Sequence, residues 1–126
     1  MYIPIFVQVA FEDRYPNAEA VRISLNKKQR YVFQFYNNNV ACMAVFDKQA
    51  NWIVSKEVIN ELDLPLAIVN YLKKKYQNDY QIQKIIKIEN DQEINYRLVV
   101  QQKNTCYNLL LKVTGREKDN YQAYVV

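Results

Sequence analysis

The sequence predicts an α+β fold in which one helix and a run of antiparallel strands are used twice, giving an about eight-stranded antiparallel sheet with both helices on one face. Three observations carry this. Pro4 and Pro65, Phe11 and Leu72, Tyr15 and Tyr76, Asn17 and Asn78, and Val21 and Ile82 all stand 61 residues apart, the mark of one unit repeated in tandem. Each copy opens on a proline followed by apolar residues at helical spacing. Each then runs into stretches where apolar and polar residues alternate, as in half-buried strands. The 126 residues read as a single domain, 1–126, built of repeats at about 3–62 and 64–126.

Pro4 is expected at the first helical position, where its missing N–H costs nothing. From there Ile3, Val7, Ala10, Phe11 and Tyr15, with Phe6 alongside, make one apolar stripe opposite Gln8, Glu12 and Asp13. Pro16 stops the helix. Val21, Ile23 and Leu25 alternate with polar residues in a first strand, and Tyr31 to Tyr36 form a second. Asn37-Asn38-Asn39 makes the turn into a third, Val40 to Phe46, because asparagine tolerates left-handed backbone. A fourth strand begins at Trp52, a residue expected to plug the junction between repeats. In the second copy Leu64, Ile68, Leu72 and Tyr76 repeat the stripe, and strands follow at about 82–89, 95–101, 105–113 and 121–126. Tyr96, Leu98 and Val100 echo Tyr31, Phe33 and Phe35.

Charge and composition narrow the chemistry. The chain carries 17 basic and 13 acidic residues, and the excess of +4 lies wholly in the second half, partly as Lys73-Lys74-Lys75, which reads as a solvated helix face. Histidine is absent, which removes the commonest general base and metal ligand. Cys42 and Cys106 cannot make a zinc site alone, and strand parity puts them on opposite sheet faces, against a disulfide. Asp47, Glu12, Asp13, Glu89, Asp91 and Glu93 fall in turns or on an exposed helix face without catalytic spacing, and Asn90 to Glu93 lack the register of a calcium loop. The expectation is a non-enzymatic chain without cofactor or metal. No apolar run is long enough to span a membrane, and the first residues do not read as a secretory signal.

The exit Tyr15-Pro16-Asn17-Ala18 followed by Val21, the Phe46-Asp47 turn leading to Trp52, and the entry Asp63-Leu64-Pro65 resemble the PepSY-like, β-lactamase-inhibitor-protein-like (BLIP-like) domains of secreted or periplasmic Bacteroidetes proteins. The resemblance runs from about Ile3 to Lys118. Family members often carry glycine two residues before the tryptophan, where this chain has Ala50. The resemblance implies a tandem helix-plus-sheet fold, export to the periplasm or beyond, and no known catalytic residues.

With helices on one face, the reverse of the sheet is the expected binding surface. Strand alternation sends Arg22, Gln34, Tyr36, Met43, Val45, Arg97, Val99 and Leu110 there, with Val32 and Gln101 beside them. Tyr, Met and Arg suit interface cores, so a protein or peptide partner is expected, and self-association as a homodimer is the other way to cover such a face. Single-stranded nucleic acid is the competing class, suggested by the basic pI and abundant tyrosine, but the strand aromatics Tyr31, Phe33 and Phe35 alternate toward the buried face. Tyr2, Tyr121 and Tyr124 are expected to be packing residues.

Overall fold

The computed structural model describes residues 1–113; the predicted strand at 121–126, with Tyr121 and Tyr124, lies outside them. The fold is α+β, with two helices, α1 (Ile5–Arg14) and α2 (Leu66–Tyr76), and seven antiparallel strands whose sheet order follows the chain. The strands are β1 (Glu19–Leu25), β2 (Tyr31–Asn37), β3 (Val40–Phe46), β4 (Trp52–Val58), β5 (Gln81–Glu89), β6 (Ile94–Gln102) and β7 (Thr105–Lys112). A single 3-10 turn, Glu61–Asp63, precedes α2, with the Asn60 side chain accepting from the Leu62 N–H. Two compact units result: Met1–Glu57 with Glu89–Asp91, and Val58–Ile88 with the described residues from Gln92 onward.

In the first unit α1 buries Val7 and Phe11 against Tyr31, Phe33 and Phe35 of β2 and Ala44 and Phe46 of β3. Phe11 lies flat on Phe33, with ring centroids 4.2 Å apart, and meets Phe35 and Phe46 edge-on. These are the offset and T-shaped arrangements that ring quadrupoles favour. In the second unit α2 buries Ile68, Leu72 and Tyr76 against Ile85, Tyr96, Leu98, Val100, Leu109 and Leu111. Each helix thus covers one side of its own strands.

Several sequence expectations shift. Pro4 and Pro65 are N-caps one residue before the first helical turn, with ψ of 140° and 142°, rather than first helical residues. Phe6 does not join the buried stripe; at 53% exposed it faces outward with Ile5 and Val9, and Tyr2 is likewise exposed rather than packed. Trp52 belongs to the first unit's core. A bulge between Val45 and Phe46 brings Trp52 opposite Phe46 and turns it to the helix side.

Asn38 and Asn39, both at positive φ, close the β2–β3 hairpin as the triple asparagine predicts, because the Asn37–Val40 pair leaves a two-residue loop. Ala50 has φ 68°, the left-handed region glycine would occupy freely.

Candidate functional site

In the first unit the register of β1 to β4 lays three rows across the helix-free side. Arg22, Gln34, Met43 and Lys56 are consecutive cross-strand partners in one row; Ser24, Val32, Val45 and Val54 form the next; Tyr36 stands between Glu19 and Ala41 in the third. Arg22, Gln34 and Tyr36 are exposed, Tyr36 by 52%, and Met43 and Lys56 are half-buried. The sequence reading placed Arg22, Gln34, Met43 and Tyr36 on this side and assigned no face along β4; the register adds Lys56 and Val54.

Val45 departs from the expectation. It is only 6% exposed, so it supports the surface rather than presenting itself on it. The reason is positional: it sits on an inner strand between Val32 and Val54, and three branched side chains in register shield the middle one.

In the second unit β6 and β7 place Arg97 opposite Leu110, Val99 opposite Asn108, and Gln101 opposite Cys106 on the helix-free side. Arg97 is exposed, while Val99, Leu110 and Gln101 are half-buried. Gln83 Nε2 donates to Gln101 Oε1 at 2.7 Å. Of the charged side chains in these rows, Arg22 and Lys56 in one unit and Arg97 and Lys112 in the other are basic, while Glu19 beside Tyr36 is acidic. A partner with acidic side chains would be complementary to them.

A polar cluster on the helix side holds α1 to β4. The Ser55 hydroxyl hydrogen-bonds the Tyr15 hydroxyl and accepts from Trp52 Nε1 at 2.7 Å, while the Arg14 guanidinium carbon lies 3.5 Å from the centroid of the Trp52 ring. This arrangement satisfies the polar ends of two large aromatic side chains and adds a cation–π contact. The sequence did not reveal it, since Ser55 has no distinguishing neighbour.

The second unit also has two open clefts of about 450 and 320 Å³ that share Asn78, Tyr80 and Gln81; Glu61, Ile82 and Gln83 complete the first, and Asp79, Gln101 and Lys103 the second. Burial, followed by the nearby Glu61 charge, raises the Tyr80 pKa above its ordinary value. The lining is mostly polar, unlike the apolar walls that enclose most small-molecule ligands.

Both cysteines are free thiols, and desolvation followed by the Glu57 charge opposite it in register raises the pKa of Cys42. Among the described residues no three His, Cys, Asp or Glu side chains gather to hold a metal ion, and no helix is long and apolar enough to cross a membrane. Tyr31, Phe33, Phe35 and Tyr96 are all buried in the cores, so they offer no platform on which bases could stack.

The sequence profile of the family described as "Putative beta-lactamase-inhibitor-like, PepSY-like" matches residues 1–43 and 30–116. Among solved structures, the chain is similar to a DUF2874 family protein from Bacteroides uniformis, with 25% identity and a TM-score of 0.80 over 99% of this chain and 91% of that one. It is similar to a BLIP-like protein from Bacteroides fragilis, with 20% identity and a TM-score of 0.81 over 100% of this chain and 88% of that one. A third, titled among "putative periplasmic proteins" and from Bacteroides eggerthii, is 20% identical with a TM-score of 0.80 over 100% and 91% of the two chains. No curated protein matches the sequence.

Proposed function

Because the chain belongs to the beta-lactamase-inhibitor-like, PepSY-like family, we propose that it is a non-enzymatic binding module that recognises a protein or peptide through the helix-free side of its strands. The observation that carries this is the first unit's row Arg22–Gln34–Met43–Lys56 with exposed Tyr36 beside it. A large amphipathic ring, an adaptable thioether and cations with long apolar stems are the side chains that make contact area without a deep pocket. Arg97, Val99 and Leu110 offer a smaller surface of the same kind in the second unit. Arg22, Lys56, Arg97 and Lys112 outnumber the acid Glu19 on these surfaces, which favours an acidic segment as the ligand.

The absence of histidine and the scattered acids support a role without catalysis. Likeness to a structure titled periplasmic supports action in the periplasm or outside the cell. The test is capture of partners from an envelope extract by immobilised protein, comparing the parent with a Tyr36→Ala, Met43→Ala double variant. The double variant is expected to lose the captured partner while keeping its circular dichroism spectrum. Undiminished capture would show that this side is not the site. Single-stranded oligonucleotides are expected not to bind even at low salt, and binding that weakens steeply with salt would favour nucleic acid instead.

A further inference from the structure

The outward faces of the two helices are complementary at their apolar first turns and at their charged last turns. On α1, Ile5, Phe6 and Val9 are exposed, with Ile5 at 75%, and Glu12 and Asp13 follow on the same face; Tyr2, before the helix, is exposed as well. Ile5, Phe6, Glu12 and Asp13 all lie within about 60° of Val9 on a helical wheel, opposite the buried Val7 and Phe11. The same positions of α2, 61 residues on, present Leu66, Ala67 and Asn70 followed by Lys73 and Lys74, all exposed. One face thus reads apolar then acidic, and the other apolar at Leu66 and Ala67, polar at Asn70, then basic.

Nothing in α1 itself explains this. Glu12 and Asp13 stand at the negative end of the helix dipole, where acids are unfavourable, whereas the lysines of α2 suit their helix end. Among the described residues nothing covers these large apolar side chains, which cluster on a helix face already buried on its other side.

We propose that the chain associates with a second copy of itself by packing α1 of one molecule parallel to α2 of the other. In that register Ile5 and Phe6 meet Leu66 and Ala67, Val9 meets Asn70, and Glu12 and Asp13 meet Lys73 and Lys74. An antiparallel arrangement would set the charges against the apolar ends. The contact uses neither Tyr36 nor Met43, so it is independent of the helix-free side.

Sedimentation equilibrium of the whole chain across micromolar to near-millimolar concentration tests this with two reciprocal variants, Glu12→Lys with Asp13→Lys, and Lys73→Glu with Lys74→Glu. All four positions are exposed, so both variants are expected to fold, as circular dichroism will report. The parent is expected to show a concentration-dependent rise in mass that weakens with salt. Each variant alone faces like charge with like and is expected to associate about tenfold or more weakly. An equimolar mixture of the two restores opposite charges at both contacts, and is expected to recover association that neither shows alone. Ile5→Ser with Val9→Ser is expected to abolish association at every salt concentration, and Tyr36→Ala with Met43→Ala to leave it unchanged. A parent that stays monomeric throughout, association indifferent to both reversals, or a mixture no better than its components would each overturn the proposal.

Discussion

Replacing Ala50 with glycine should make the protein more stable, against the usual direction of such a change. Ala50 closes the β3–β4 turn with φ 68°, its N–H bonded to the Asp47 carbonyl at 3.1 Å. The turn has little room to relax. The Asp47 N–H donates to the Asn51 carbonyl at 2.9 Å, and Asp47 Oδ1 accepts from the N–H groups of Gln49 and Asn51 at 2.9 and 2.8 Å. An L-residue held in left-handed backbone costs about 1–2 kcal/mol. Glycine removes that cost but gives the unfolded chain extra freedom worth about 0.4–1 kcal/mol. The difference is a net gain of about 0–1.6 kcal/mol, about 0.8 kcal/mol at mid-range, which for a chain of this size raises Tm by roughly 3 °C. Ala44→Gly is the control. Ala44 is fully buried within β3 between Phe33 and Ser55, so the same chemical change there should destabilise by about 1 kcal/mol. Urea and thermal unfolding of both variants measure the two signs. Ala50→Gly that matches or falls below the parent would refute the reasoning, because position 50 would then not be held in the left-handed region.

Other consequences follow from the same packing. Phe11→Ala removes a ring stacked between β2 and β3 and should cost about 3–5 kcal/mol by urea unfolding, and Leu72→Ala in the second unit about 2–5 kcal/mol. Arg14→Ala exposes one face of the sole tryptophan, so its emission should shift to the red, with a stability loss of about 0.5–2 kcal/mol. Desolvation acts to raise the Asp47 pKa, but hydrogen bonds from Asn51 and Gln49 and the Arg30 charge lower it overall. The turn's support from Asp47 is therefore present above the ordinary carboxylate pKa and lost as pH falls through the lowered one, so the deficit of Asp47→Ala relative to the parent should shrink on acidification and stay constant between pH 6 and 8. With its pKa raised first by burial and then by Glu57, the Cys42 thiol should react more slowly than glutathione with a disulfide reagent at pH 7.5, and Glu57→Gln should speed it.

The helices and their buried faces were legible because a helical period and a constant offset are both written in residue types. Val7 and Phe11, and Ile68, Leu72 and Tyr76, are buried where that pattern put them. The outward face of α1 was misread at Phe6 for a physical reason: hydrophobicity marks what could be buried, and only the width of the sheet beneath decides how many such residues find cover. Strand alternation located most of the helix-free side. It assigned no face along β4, where a bulge at Val45/Phe46 puts one extra residue in the ladder and leaves no compositional mark. The burial of Val45 needed the register of three strands at once. No single stretch of sequence contains that information.

The two units differ most where their cores do not constrain them. Buried Val7 answers to buried Ile68 and Phe11 to Leu72, while Phe33, Ala44 and Phe46 answer, 65 residues on, to Leu98, Leu109 and Leu111. The chemistry is apolar throughout, yet volume moves between partners: the first unit spends its size on Phe11, Phe33 and Phe46 around a small Ala44, and the second spreads it over leucines. Such exchanges preserve packing only if made together, since a lone Ala44→Leu beneath three phenylalanine rings would overfill the space. The outward positions carry no such coupling. Ile5, Phe6 and Val9 answer to Leu66, Ala67 and Asn70, and Glu12 and Asp13 to Lys73 and Lys74, differences of polarity and of charge sign that a core could not absorb. If the two units are copies of one, as the sequence repeat proposes, the fold accounts for what they share, and the sites at which they recognise other molecules are to be sought where they have parted.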